Sequence, residues 1–245
     1  MTTKVVPGLL IATPGAEEVA REAAACIAKA LREAVRARGR ATIALSGGET
    51  PRATYARLAA EPDVPWASID VLWVDERAVP PGHERSNFRL AKETLLAALP
   101  EDQAHPMRGD AKDLDDAARE YEDVLRARAL GQAAGVPVVD VVVLGVGDDG
   151  HTASLFPGEP EVDVTDRLVV AVAAKGAREA RLSMTAPVIA AARAVFVLAV
   201  GAKKTPALER VWAVQGSRSE TPARLVRECR GSVVWVIDKA AGGLE

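Results

Sequence analysis

Apolar residues recur along this chain with two different periods. Over residues 16–38, Val19, Ala23, Ile27, Ala30, Leu31 and Val35 fall at helical spacing, with Glu and Arg between them. Short, almost uninterrupted apolar runs predict strands at 41–45, 69–74, 138–145, 168–173, 194–200 and 232–237. Helical spacing returns between them at 51–60, 87–97, 114–130, 204–214 and, in a shorter stretch, 222–227. The run from Asp110 to Asp116 reads as a loop passing into a helix start, because Asp is favoured near helix N-termini. Strands this apolar, alternating with helices, predict a mostly parallel sheet with helices on both faces. No linker, repeat or low-complexity tract divides the chain, so residues 1–245 are expected to form a single α/β domain.

Composition changes this picture only at its edges. Hydrophobic residues make up 49% and charged residues 27%, which excludes disorder and leaves enough apolar surface for a core without staples. The apolar runs are too short to cross a bilayer, and the start, MTTKVVPGLL, carries no secretory pattern. Cys26 and Cys229 form neither a disulfide framework nor a metal spacing, so a cytoplasmic location is expected. Cys26 is expected buried on the first helix and Cys229 at the edge of the core. A net charge of −3 with 4% aromatic residues argues against a nucleic-acid partner. Any anionic ligand must then be held by local geometry rather than by the global field.

In open α/β sheets ligands bind beyond the carboxyl ends of the strands, so the segments after each strand carry the chemistry. The 41–45 strand runs into Ser46-Gly47-Gly48, with Thr50 expected as N-cap and Pro51 as the first helical residue. Those glycines either make a plain turn or present backbone N–H groups to an anion at a helix N-terminus. Next, Asp75, Glu76 and Arg77 lie at a strand tip, and Ser86 can cap the following helix. Arg77 either pairs with its acidic neighbours at the surface or clamps a phosphate or carboxylate. His83, in the intervening loop, is expected at the solvent. The third segment, Gly145-Val-Gly-Asp-Asp-Gly-His151-Thr-Ala-Ser-Leu-Phe-Pro157, sets three glycines, two carboxylates and a histidine after a buried strand. An imidazole is the natural acid–base group at neutral pH, and Asp149 can orient it. The alternative is a glycine-rich turn with a capping histidine. His105 has nothing comparable around it. Lastly, Arg178 and Arg181 precede Leu182-Ser-Met-Thr185, and Gly201-Ala-Lys-Lys204 follows the 194–200 strand. Taken singly, these basic residues read as surface charge as readily as ligand contacts.

Jointly, the segments resemble the 6-phosphogluconolactonases, within the wider family that also contains glucosamine-6-phosphate deaminases. The matching stretches are SGGETP (46–51), VDER with a later SN pair (74–77 and 86–87), GVGDDGHTASLFP (145–157), RLSMT (181–185) and GAKK (201–204). They occur in order across nearly the whole chain. The resemblance implies a modified Rossmann-like fold and hydrolysis of 6-phospho-D-glucono-1,5-lactone in the oxidative pentose phosphate pathway, with no metal and no organic cofactor. Deaminases share the loop as far as Asp-Gly-His, then continue Phe-Asn-Glu-Pro with a glutamate that assists catalysis. Here the continuation is Ser154-Leu155-Phe156-Pro157, and Arg77 stands where deaminases usually have Tyr. A lactonase is therefore expected, with an amino-sugar-phosphate deaminase or isomerase as the alternative. A catalytically silent sugar-phosphate sensor would need an added DNA-binding or partner module, for which no segment is long enough.

Under this resemblance His151 takes a proton from water and returns it to the leaving ring oxygen, with Asp149 orienting the ring. No acyl-enzyme nucleophile is evident, since Ser46 lacks a nucleophile-elbow setting and neither cysteine follows a strand. A phosphate carrying about −1.5 to −2 charges would be held by Ser46, Gly47, Gly48 and Thr50 with Arg77, Arg181 and Lys204. Asn87 would contact the sugar or position Arg77, and family register selects Lys204 over Lys203. A monomer or weak homo-oligomer is expected.

Overall fold

The computed structural model describes residues 4–244. In chain order it begins β1 (Leu9–Thr13), α1 (Ala16–Arg38), β2 (Ala41–Leu45), α2 (Glu49–Ala59), β3 (Ile69–Trp73) and β4 (Asp75–Arg77). The middle holds α3 (Asn87–Thr94), α4 (Leu114–Arg128), the short strands β5 (Gln132–Ala133) and β6 (Val136–Pro137), then β7 (Val141–Gly145). The remainder comprises β8 (Val169–Val172), β9 (Arg181–Met184), α5 (Ala186–Ala191), β10 (Ala194–Ala199), α6 (Thr205–Trp212), β11 (Ser232–Asp238) and α7 (Lys239–Gly242). The 222–227 helix is a 3₁₀ segment, Pro222–Glu228.

Six strands form a parallel sheet in the order β1-β11-β10-β7-β2-β3. Every residue of β2 and β3 is buried, which is why these strands read as continuous apolar runs rather than alternating ones. From β2 the chain steps outward to β3, whereas from β7 it steps the other way to β10 and β11. Right-handed crossovers then put α1 and α2 on one face and the return connections on the other. The reversal opens a crevice between the carboxyl ends of the adjacent strands β2 and β7.

One expected strand belongs elsewhere. The 168–173 run is β8, which joins β9 and β4 in a separate antiparallel sheet ordered β4-β9-β8. Apolar content marks a buried strand but not its sheet, and its partner β9 (Arg-Leu-Ser-Met) has no such run to betray it. The three-residue β4 follows β3 after only Val74, whose N–H donates to Leu45 O (2.8 Å) while its carbonyl accepts from Met184 N (2.7 Å). Val74 thus fastens the small sheet to the large one, and β4 projects beyond the crevice. β1, an edge strand with an exposed Leu9, escapes the pattern altogether.

The opposite end of the sheet is held by buried carboxylates. Asp140 accepts from Arg38 (2.5 Å), Arg193 (3.1 Å) and the Thr42 amide (2.9 Å). Asp70 pairs with Arg40 and with His105 Nε2 (2.7 Å). His105 is therefore a partner in the fold at the amino end of β3. Cys26 is half-buried rather than buried, because it sits at the margin of the packed face of α1.

Candidate active site

The crevice holds a cleft of about 230 Å³ at the carboxyl ends of β2 and β7, roofed by the small sheet. Ser46, Gly47, Gly48, Thr50, Arg77, His151, Arg181 and Lys204 all line it, joined by Asp75, Gly147 and Ala153. Five segments far apart in sequence thus converge on one space. Asp149 and Asn87 stand behind the lining.

His151 is set by the turn that precedes it. Gly147 N–H donates to His151 O (2.9 Å), and a Cβ at residue 147 would lie 2.1 Å from His151 Nδ1, so only glycine admits the imidazole there. Thr152 Oγ1 donates to Gly145 O (2.8 Å), closing the loop back onto β7. Ala153, two residues after the histidine, has φ +51°, an uncommon left-handed conformation for a residue with a side chain. His151 Nδ1 lies 2.6 Å from Asp149 Oδ1, which also accepts the His151 amide (3.0 Å). Burial alone would raise the Asp149 carboxyl, but the bonds from the His151 ring and amide and the ring's charge outweigh it and carry the pKa down to about 2. A carboxylate accepting at Nδ1 puts the proton on that nitrogen and leaves the lone pair on Nε2. The ring also packs on Phe156 (centroids 4.7 Å apart), over which Arg178 stacks at 3.9 Å.

Cations gather on the cleft's other walls. Arg77 makes no ion pair among the described residues; its Nη1 donates to Arg85 O (2.5 Å), so the surface pairing with Asp75 or Glu76 does not form. Arg181, largely buried, lies 3.9 Å from Asp75 Oδ2. Burial lowers its pKa, with Asp75 opposing and Arg77 reinforcing that shift. The Nε atoms of both arginines and Ser46 Oγ are buried without a hydrogen-bond partner among the described residues. Unmatched donors of this kind around a cleft suit an anion. Lys204 lines the cleft and bonds Asp148 Oδ1 (2.6 Å), whereas Lys203 points to solvent.

Two local expectations change. The α2 helix starts two residues early: Gly48, at φ +109°, is its N-cap, so Thr50 is the second helical residue and Pro51 the third. No side chain caps this end, which leaves its first amides facing the cleft. Asn87 contacts neither the cleft nor the Arg77 side chain. It is 1% exposed, donates to Asp75 O (2.8 Å) and fills the space where a side chain on residue 47 would stand. Ser86 does cap α3, accepting from Arg89 N (3.2 Å). His83 is half-buried, its Nδ1 accepting from Arg85 N (3.1 Å).

Asp75 and Ser154 are the residues that motif reading passed over. Asp75, at the start of β4, is buried beside the cleft and accepts from Ser154 Oγ (2.7 Å). The signal was its place at the tip of a strand beside Arg77. Among the described residues no group of three or more His, Cys, Asp or Glu is arranged to hold a metal ion. Burial pushes the Cys229 thiol up to about 12. No helix among the described residues is long and apolar enough to cross a membrane.

A parallel α/β sheet with a histidine–aspartate pair and a cationic cleft at its switch point makes a site suited to a small anionic ligand. Residues 14–235 match the family described as glucosamine-6-phosphate isomerases/6-phosphogluconolactonase, and the chain belongs to that family. It is 40% identical over 219 residues to a 6-phosphogluconolactonase of Synechocystis sp., covering 89% of this chain and 90% of the relative. A 6-phosphogluconolactonase of Streptomyces coelicolor is 35% identical over 236 residues, covering 92% and 90%. Among solved structures, the 6-phosphogluconolactonase of Trypanosoma brucei superposes with a TM-score of 0.88 at 29% identity, covering 98% of each chain.

Proposed function

We propose that this chain hydrolyses 6-phospho-D-glucono-1,5-lactone to 6-phospho-D-gluconate, the lactone-opening step of the oxidative pentose phosphate pathway. The observation that carries this reading is a single cleft in which an imidazole with a committed Nδ1 shares space with Arg77, Arg181 and Lys204. The relatives' names support the same activity.

The phosphate lies against the α2 N-terminus, Ser46, Arg77, Arg181 and Lys204. Its grip brings C1 of the lactone towards His151. Nε2 takes a proton from water as the water oxygen bonds to C1, and Asp149 steadies the imidazolium that forms. The C1–ring-oxygen bond then breaks, and the imidazolium returns its proton to the departing oxygen. Base catalysis of this kind contributes roughly 10²–10⁴ in rate. Binding energy from the remote phosphate supplies the alignment.

The 154–157 stretch, Ser-Leu-Phe-Pro, offers no carboxylate for the ring opening and amine release of a deaminase. Net charge and cysteine usage favour a cytoplasmic enzyme with no nucleic-acid partner, and a monomer or weak homo-oligomer stays the expectation. The test is an assay on freshly generated δ-lactone, with spontaneous opening subtracted, beside an ammonia assay on glucosamine 6-phosphate. Lactone turnover without ammonia is expected; ammonia without lactone turnover would transfer the chain to the deaminase branch.

A further inference from the structure

Glu76 is 2% exposed and has no cationic partner among the described residues. Its carboxylate instead takes four hydrogen bonds. Oε1 accepts from the amides of Arg77 (2.8 Å) and Asn87 (2.7 Å), and Oε2 from the Phe88 amide (2.8 Å) and Ser86 Oγ (3.1 Å). Burial, joined by the nearby Asp75 charge, raises its pKa above the ordinary glutamate value although the three amides pull it down. A buried charge without a counter-ion is costly, so it persists only where its hydrogen bonds are complete. Here those bonds join the end of β4 to the first turn of α3.

The geometry of this clamp bears directly on Arg77. The residue before the clamped Ser86 is Arg85, whose carbonyl takes Arg77 Nη1 at 2.5 Å. From behind, Gly109 lies so close to the Arg77 carbonyl that a Cβ there would stand 2.2 Å from it. The guanidinium is thus held by the segment that Glu76 gathers, and the Arg77 backbone by the Glu76 carboxylate and by Gly109. We propose that Glu76 is a positioning residue: it presets Arg77 to receive the substrate phosphate, without itself touching substrate. This rests on the phosphate role of Arg77 given above.

The test compares kcat/KM for the phosphorylated lactone with that for glucono-1,5-lactone, in Glu76→Gln, Arg77→Ala and the double variant. A glutamine keeps the shape but turns one acceptor into a donor facing Ser86 and Phe88, or Arg77 and Asn87. The selectivity ratio should fall roughly tenfold in Glu76→Gln, since small misplacements of a positioning group have large rate effects. The double variant should be no less selective than Arg77→Ala alone, because the glutamate acts through the arginine. If Arg77→Ala leaves the ratio unchanged, the phosphate role of Arg77 fails and this inference with it. If Arg77→Ala lowers the ratio but Glu76→Gln changes only thermal stability, Glu76 is a structural clamp alone; if the two losses multiply, Glu76 does not act through Arg77, and either result overturns the proposal. Should Glu76→Gln not fold, Ser86→Ala removes one of the four donors and should lower the ratio in the same direction; no change in it would overturn the proposal.

Discussion

Arg77 and Arg181 face each other directly across the antiparallel pair β4–β9, and both line the cleft. Like charges at directly opposed positions destabilise a ladder. An anion held between them would convert that repulsion into two attractive contacts.

Phosphate-bearing ligands should therefore stabilise the protein against heat, by about 2.7 kcal/mol at a ligand concentration 100 times Kd. Arg181→Met should lose most of the shift on adding 6-phosphogluconate. Thermal melts at several ligand concentrations measure both. A full ligand shift in the variant would remove Arg181 from the phosphate grip.

In the proposed site Lys204 would meet the phosphate only in competition with Asp148, which holds its Nζ at 2.6 Å while itself 60% exposed. Exposed pairs of this kind are worth about 0–1 kcal/mol. Asp148→Asn should accordingly tighten inorganic phosphate binding by up to about fivefold, an effect that fades at high salt. Titration calorimetry at two ionic strengths reads it, and weaker binding in the variant would mean that Asp148 steers Lys204 rather than competing for it.

The large sheet was legible because its strands are buried on both faces, and buried parallel strands announce themselves as apolar runs. The residues at their ends were legible for a related reason. Gly147 and Gly48 stand where a Cβ or an ordinary φ cannot, and such positions leave glycines that a reader can see. The small sheet was hidden, because β4 is wholly charged, β9 is half polar, and both are short and defined by each other rather than by periodicity. The packing of Asn87 was hidden for a comparable reason. Its neighbour Ser86 has a purely local job, capping α3, whereas Asn87 fits a gap made by Gly47, some forty residues away, and no local pattern records that contact.

Acid should act on the loop that carries His151. The Asp149 pKa, about 2, is depressed below the usual carboxylate value near 4. Its contribution to stability is therefore present above the unfolded-state value and is lost as pH falls from about 4 through about 2. Urea midpoints measured at pH 5 and pH 2.5 should fall less in Asp149→Asn than in the parent. At neutral pH the same variant should lower kcat with little change in KM, because the amide can favour the wrong tautomer of His151.

Thiol chemistry should be silent. With its pKa pushed up to about 12, Cys229 is almost wholly protonated near neutrality, and burial raises Cys26 as well. Incubation with iodoacetamide at pH 7.5 should leave lactone turnover intact, as should treatment with a chelator. Inactivation in step with labelling of one cysteine would call for a thiol in the chemistry, and activity lost to the chelator and restored by zinc would call for a metal.

The account turns on the lone pair of His151 Nε2, and turnover by His151→Asn examines it most directly. Initial rates on freshly made 6-phosphoglucono-1,5-lactone, corrected for spontaneous opening, should fall at least roughly a hundredfold, while circular dichroism and the ligand-induced rise in Tm stay as in the parent. A variant that folds, binds and still hydrolyses the lactone at near-parental rate would contradict it.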